Sequence, residues 1–232
     1  MKRKIVVLTG AGMSAESGLK TFRDADGLWE GHDVQAVASP EGWRKNKSLV
    51  LDFYNQRRAQ LLKVEPNDGH KALVDLEEKY DVSIVTQNVD DLHERAGSTD
   101  IIHLHGELFK VRSIKNEKLV YDWTGPLVEG DVGEDGNQLR PHIVWFGEQV
   151  PLLNSGAAKV HDADIIIVIG TSMQVYPAAS LVGVAQDDAT IYYIDPRPSL
   201  NYELERANNL EVIKEVATTG VRKLVDKLLA DS

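Results

Sequence analysis

KIVVLTGAGMSAESGLKTFRDADGLW, residues 4–29, is the stretch on which the reading of this chain turns. Ile5 to Leu8 is a short apolar run rich in β-branched residues, the pattern of a strand buried on both faces. It stops at Thr9-Gly10, and G-x-G-x-x-A follows as Gly10, Gly12 and Ala15. A strand, a turn with unusual backbone angles and a helix are expected there, the first helical N–H groups lacking intrahelical partners. Free N–H groups, a helix dipole and small residues let a pyrophosphate approach the backbone. A glycine-rich turn by itself also simply joins a strand to a helix, so the remaining sequence decides its meaning.

Thr21 to His32, rich in Gly, Asp and Arg, reads as a long ordered loop. Ser39-Pro40 reads as a cap with a first-turn proline, Ser48 to Val64 as a helix carrying Leu49, Phe53 and Leu61, and Asn67 as the cap of a helix over His70 to Tyr80. Val82 to Thr86 and Ile101 to Leu104 are strand-like, with a short helix Asp91 to Ala96 between them and Gly97 suited to its left-handed end. Phe109 to Ile114 and Leu119 to Trp123 suggest a hairpin, followed by an acidic loop Glu129 to Asn137. Ile143 to Phe146, Asp164 to Ile169 and Thr190 to Ile194 read as strands, Pro177 to Gln186 and Thr218 to Ala230 as helices. Strands alternating with helices give an α/β fold: a Rossmann-like, doubly wound parallel sheet with a smaller inserted domain. Residues 1–32, 81–107 and 141–232 are assigned to the sheet domain. Residues 33–80 (a helical module) and 108–140 (a hairpin module) are assigned to the insertion. Ligands of such sheets bind at the carboxyl ends of the strands, where Gly10 to Gly12, Gln87-Asn88, His105, Gly170 to Ser172 and Asp195 stand.

A chain 42% hydrophobic and 27% charged has the composition of an ordinary globular protein. Its formal net charge of −10 argues against nucleic acid or an anionic membrane as partner. Cysteine is absent, which removes disulfides, thiol catalysis and thiolate metal sites together. No metal is expected: no two histidines share an i, i+4 spacing, and the loop GDVGEDGN lacks the alternating carboxylates of a calcium loop. The apolar start is too short for a signal peptide and no run approaches membrane-spanning length, so a cytoplasmic protein is expected.

Five stretches, GAGMSAESGLKTFRDADGLW, TQNVDDLHERAG, HLHGEL, PHIVWFGE and GTSMQVYPA, occur in an order that resembles the sirtuins, the NAD-dependent protein-lysine deacylases. The likeness is greatest to the bacterial, desuccinylase-type members. It implies NAD as cofactor, held on the first loop by Gly10, Ala11, Gly12, Ser14, Ala15, Thr21, Phe22, Arg23 and Trp29. Gln87, Asn88, Val89 and Asp90 would meet the ribose and nicotinamide. Gly170, Thr171, Ser172, Asp195, Pro196, Arg197 and Ala217 would meet the adenosine half. The resemblance implies His105 as catalytic base, with Asn88 and Asp90 beside it, because an imidazole can deprotonate a ribose hydroxyl near neutrality. Val144, Phe146, Gly147 and Glu148 would face Val175 and Tyr176 across an acylated-lysine peptide added as a strand. The implied products are lysine, nicotinamide and 2′-O-acyl-ADP-ribose. The implied partner is an acylated-lysine protein or peptide; the sequence leaves the oligomeric state open, a monomer being compatible with it.

Tyr54 and Arg57 lie at i, i+3 on the helix expected over Ser48 to Val64 and so share a face. In desuccinylase-type sirtuins such a Tyr-x-x-Arg pair grips the distal carboxylate of succinyl-, malonyl- or glutaryl-lysine, which implies a preference for acidic acyl groups here. Two departures stand out. The family's four zinc-binding cysteines are missing, with Ser113 near the place of the first, so a metal-free hairpin is expected in their stead. Asp195 stands where an Asn is commoner. Without the resemblance Arg57 and neighbouring Arg58 would read as solvating a helix face, a reading the resemblance reverses, and His103, which alternates with His105, reads as packing. Two other functions fit the same residues: mono-ADP-ribosyl transfer to a protein, and non-catalytic NAD or ADP-ribose sensing.

Overall fold

The computed structural model describes residues 2–20, 28–29 and 31–230. In chain order, β1 (Lys4–Thr9) leads into two single 3-10 turns, Ala11–Met13 and Ala15–Ser17. The short pair β2 (Leu28–Trp29) and β3 (His32–Asp33) precedes the helices α1 (Val34–Val37), α2 (Pro40–Lys45), α3 (Lys47–Leu61) and α4 (Asp68–Leu76). Then come β4 (Asp81–Thr86), α5 (Leu92–Ala96), β5 (Ile101–His103), β6 (Gly106–Ser113), β7 (Val120–Asp122) and β8 (Leu139–Ile143). The chain closes with α6 (Leu153–His161), β9 (Ile165–Ile169), a 3-10 helix Ala178–Val184, β10 (Thr190–Ile194), α7 (Tyr202–Glu205), β11 (Leu210–Ile213) and α8 (Ala217–Ala230). No helix among the described residues is long and apolar enough to cross a membrane.

Six strands form one parallel sheet in the order β11-β10-β9-β1-β4-β5. Counted among themselves this is the 3-2-1-4-5-6 order of a dinucleotide-binding fold, with the direction of winding reversing between β1 and β9. Successive side chains of a strand point to opposite faces, and β1 is buried on both. Ile5 and Val7 pack with Ile84, Ile165, Ile167 and Ile194 against Leu73 and Leu76 of α4 and Val221, Leu224 and Val225 of α8. Val6 and Leu8 pack with Ile166, Val168 and Tyr193 against Val160, Leu181 and Val182. An uninterrupted apolar run is what such a position requires.

A third core joins α1, α2 and α3 to the antiparallel sheet β7-β6-β8 through Val37, Trp43, Phe53, Tyr54, Val111, Leu139 and Trp145. Ser39 caps α2 by accepting from the Gly42 N–H, with Pro40 in the first turn. Asn67 caps α4, accepting from the N–H groups of Gly69 and His70.

Several expectations are corrected by the packing. The chain after β1 makes two 3-10 turns instead of a helix. Gly10 is extended, and neither it nor Gly12 has positive φ. The glycines serve close approach: a Cβ on Gly12 would lie 2.6 Å from the Gly170 Cα, and one on Gly10 2.7 Å from the Thr171 Cβ. Helix α4 covers the parallel sheet and does not belong to the helical insertion's core. The strand expected over Ile143 to Phe146 lies earlier, as β8, and pairs with β6 in the small sheet. Pro177 to Gln186 contains a 3-10 helix where a regular helix was expected. Arg58 is 1% exposed, so it does not solvate the helix face. It donates to the carbonyls of Gly125 and Tyr54 and to Asn55 Oδ1, and burial lowers its pKa to about 10.

Two turns meet at Ser113, in the module where a metal-free hairpin was expected. The buried Ser113 hydroxyl donates to Asp135 Oδ2 at 2.6 Å and accepts from the N–H groups of Lys115 and Asn116 at 3.1 and 3.3 Å. Asp135 Oδ1 accepts from the Asn137 N–H, and Gln138 Oε1 from the Gly130 N–H. Hydrogen bonds between two turns thus tie the strands of this module together.

Candidate active site

The strand ends and the small domain enclose a cavity of about 470 Å³. Its floor lies at the switch point, where the Gly10 to Gly12 loop meets Gly170, the Gly12 N–H donating to the Gly170 carbonyl at 2.8 Å. All the expected site residues that are described line this one cavity. Gly10, Ala11, Gly12, Ser14, Ala15 and Trp29 come from the first loop and β2, and Gln87, Asn88, Val89 and Asp90 from the end of β4. His105 follows β5, and Gly170 to Ser172, Asp195 to Arg197 and Ala217 complete the far end. Tyr54, Arg57, Val144, Phe146, Gly147, Glu148, Val175 and Tyr176 line the opposite wall and rim. Thr21, Phe22 and Arg23 lie outside the described residues.

The loop after β4 is held carbonyl by carbonyl. His105 Nδ1 meets the Gln87 carbonyl at 3.1 Å, His103 Nδ1 the Asn88 carbonyl at 3.0 Å, and the Leu108 N–H the Val89 carbonyl at 2.8 Å. A neutral imidazole with its proton on Nδ1 keeps Nε2 as an acceptor, the form a base requires. Burial lowers the His105 pKa against the opposing pull of the Gln87 carbonyl, so the neutral form prevails near pH 7. The Asn88 amide donates to the Gly10 carbonyl at 3.1 Å and to Ser14 Oγ at 3.3 Å. Ser14 Oγ in turn donates to Asp90 Oδ2 at 2.9 Å, and the Leu92 N–H to Asp90 Oδ1 at 3.2 Å. Burial raises the Asp90 pKa to about 6, opposed by those hydrogen bonds and by the nearby His103 charge. Burial thus pushes two groups toward their neutral forms, Asp90 on the loop after β4 and His105 after β5, and perturbed titration of neighbouring groups in one cavity is a pattern of functional sites.

Asp195 Oδ1 accepts from the Arg197 N–H at 2.8 Å, which shapes the turn at the end of β10. Glu148 lies on the rim, but its carboxylate is turned inward. It meets Arg140 Nη1 at 2.6 Å and Nη2 at 3.1 Å, lies 3.5 Å from Arg112, and accepts from the Trp145 N–H. The guanidinium of Arg140 stacks 3.3 Å from the centre of the Trp145 ring. Glu148 therefore fixes the Val144 to Glu148 segment and offers no free charge to a ligand. Trp145 Nε1–H donates to the Tyr54 hydroxyl at 3.0 Å, and burial raises the Tyr54 pKa, so this hydroxyl stays protonated.

The sequence profile of the Sir2 family matches residues 10–177. The chain belongs to that family. A Helicobacter pylori protein named NAD-dependent protein deacylase is 59% identical to this Sir2 chain over 227 residues, covering 98% of each. A Bacteroides thetaiotaomicron protein of the same name is 48% identical over 233 residues, again covering 98% of each. Among solved structures, a Sir2 homolog–NAD complex superposes with a TM-score of 0.87 at 36% identity, covering 99% of this Sir2 chain and 91% of its own. A Sir2–p53 peptide–NAD⁺ complex gives 0.80 at 27% identity, covering 99% and 95%.

Some lining residues had no expected role: Glu16, Lys20, Ala38, Gln60, Leu61, Leu108, Trp145, Val150 and Val216. Glu16, Leu108 and Trp145 stand inside the quoted stretches and could have been found from them. Ala38, Gln60 and Val216 carry no local signal and reach the wall through tertiary packing alone.

Proposed function

We propose that this chain is an NAD-dependent protein-lysine deacylase that prefers acidic acyl groups, taking an acylated-lysine peptide at the rim and NAD at the floor of one cavity. The observation that carries the reading is His105: Nδ1 is tied to the Gln87 carbonyl, and the ring lines the cavity beside Asn88 and Asp90. The first loop suits a pyrophosphate: Gly10, Ala11 and Gly12 line the cavity with small residues, and the close packing of Gly10 and Gly12 on Gly170 and Thr171 fixes that loop in place. NAD, when bound, supplies the bond whose cleavage releases nicotinamide and gives the acyl group an acceptor.

The chain's own residues would orient and deprotonate. His105 Nε2 takes a proton from a hydroxyl, a role worth roughly 10²–10⁴-fold in rate. Asn88 and Ser14 order the polar end of the first loop, and Asp90 offers a carboxylate whose pKa burial raises to about 6. At the other wall, Tyr54 keeps its proton and Arg57 stands one turn away on α3, two donors for a distal carboxylate. A hydrogen bond to a charged partner contributes about 1.5–3 kcal/mol, or roughly 10- to 100-fold in specificity. The name and coverage of the Helicobacter pylori relative support the deacylase part of the reading.

The test is a panel of one peptide carrying acetyl-, succinyl-, malonyl- or glutaryl-lysine, incubated with NAD and read by mass spectrometry. The acidic acyl groups should show the higher kcat/KM, and Arg57→Met should collapse the ratio toward one. An unchanged ratio in Arg57→Met refutes the acyl preference, and ADP-ribose attached to the peptide refutes deacylation.

A further inference from the structure

His103 was expected to be packing, but its two ring nitrogens are both occupied. Nδ1 lies 3.0 Å from the Asn88 carbonyl and Nε2 lies 2.6 Å from Glu94 Oε1. Both partners are acceptors. A neutral imidazole has one N–H and satisfies only one of them, so the arrangement calls for both protons. The ring is 8% exposed, whereas the Glu94 side chain is 40% exposed and reaches in from α5 to supply the counter-charge.

We propose that His103 is a positioning residue for the deacylation reaction: its imidazolium, clamped between the Glu94 carboxylate and the Asn88 carbonyl, holds the loop that carries Asn88 and Asp90. It rests on the deacylase reading for its activity readout alone.

Three features support it. The clamp sits at the middle of the three consecutive carbonyls of residues 87–89, between the bond from His105 and the bond from Leu108. Asn88 passes the constraint into the cavity through its amide bonds to Gly10 and Ser14. The acidic groups around His103 agree in sign and outnumber the one opposing cation, Lys110 beside Glu107. Glu94 on α5 and Glu107 on β6 favour the charged ring, as does Asp90 on the loop, while the neighbouring His93 is buried and neutral. Burial pulls the His103 pKa down, but the Glu94 hydrogen bond and charge outweigh it and the net shift is upward. Glu94, His103 and Glu107 bring ligand-type atoms within 4.8 Å of one another, as a cation site would. Lys110 already lies 2.8 Å from Glu107 and the imidazolium already faces Glu94, so fixed positive charges satisfy the cluster.

His103 and His105 therefore work in opposite states, one charged to hold the loop and one neutral to act as base. Loss of the clamp displaces catalytic groups, and displacements of about 1 Å cost up to 10²-fold in rate.

The first measurement is the ¹⁵N spectrum of ring-labelled histidine near neutral pH, with His103 assigned through His103→Gln. Two protonated nitrogens are expected, and a neutral tautomer overturns the proposal. The second is kcat against pH with saturating NAD and an acylated peptide. Glu94→Gln should move the alkaline limb to lower pH, with roughly tenfold lower kcat on the alkaline side that recovers on acidification. The acid limb, where His105 and Asp90 titrate, should stay in place, because His103 is charged there in both proteins. A Glu94→Gln profile that superimposes on wild type, or is scaled down equally at every pH, overturns the proposal. Should His103→Gln fail to fold, Glu94→Gln, at a half-exposed position, supplies both the assignment and the profile. A wild type that turns over no acylated peptide overturns the deacylase reading and the positioning role with it. Turnover without the limb shift overturns the positioning role alone.

Discussion

Gly12→Ala tests the switch point directly. The added methyl would sit 2.6 Å from the Gly170 Cα, 2.8 Å from its carbonyl oxygen and 3.0 Å from its carbonyl carbon. All three are backbone atoms and none can rotate away. Gly170 has no side chain to move aside, and its own Cα already packs closely on Gly12 and the Met13 N–H, so only backbone displacement can relieve the clash. The two loops must separate, and the Gly12 N–H to Gly170 carbonyl bond of 2.8 Å is lost with them. Overpacking costs about 1–3 kcal/mol and a backbone hydrogen bond about 1 kcal/mol, together about 2–4 kcal/mol. For a chain of this length that lowers Tm by about 5–15 °C. Thermal unfolding by circular dichroism and NAD affinity by calorimetry measure the two consequences, and both should weaken together because the same loops form the cavity floor. A Gly12→Ala protein with wild-type Tm and wild-type NAD affinity would show that the close approach is not what the glycine supplies.

Other consequences follow from buried polar groups. Ser113→Ala removes the acceptor of two backbone N–H groups and should cost about 1–3 kcal/mol, read as a lower Tm, with zinc chelators having no effect on wild type. His70 is fully buried, accepts from the Asn67 N–H, and burial lowers its pKa from 6.5 to about 4. Its folded pKa lies below the unfolded one, so its contribution is full above pH 6.5 and is lost as pH falls toward 4, about 3 kcal/mol at most. His93, whose ring centre is 4.9 Å away, adds to the same acid loss, and His70→Gln should flatten the dependence of Tm on pH in that window.

Much of the sheet was legible because its strands announce themselves. Runs such as Ile5 to Leu8 and Ile165 to Ile169 are apolar at every position, and only a strand covered on both faces asks for that. The exposed edge strand β11, with Glu211 and Val212 open to solvent, has no such run and was not expected. Ser39-Pro40 and Gly97 marked helix ends because caps act locally. What sequence could not carry was partnership. The apolar stretch around Ile143 looks the same whether it joins the large sheet or the small one, and only β6 decides. Arg58 looks like Arg57 until Gly125 and Asn55 close over it. Most of the cavity lining was legible as a set because strand ends such as Gly10, Gln87, Gly170 and Asp195 converge on it, while Tyr54 and Arg57 reach it from α3. The roles of Glu148, Trp145 and His103 were not, since each depends on a partner distant in the chain or on another element.

The proposed coupling of an acylated lysine to NAD through His105 in one cavity is tested most directly by stoichiometry. Wild type mixed with NAD and a succinylated peptide should release one nicotinamide and one O-acyl-ADP-ribose for each lysine freed, while His105→Asn retains NAD binding and loses turnover. Lysine freed without nicotinamide, or full turnover by His105→Asn, would contradict it.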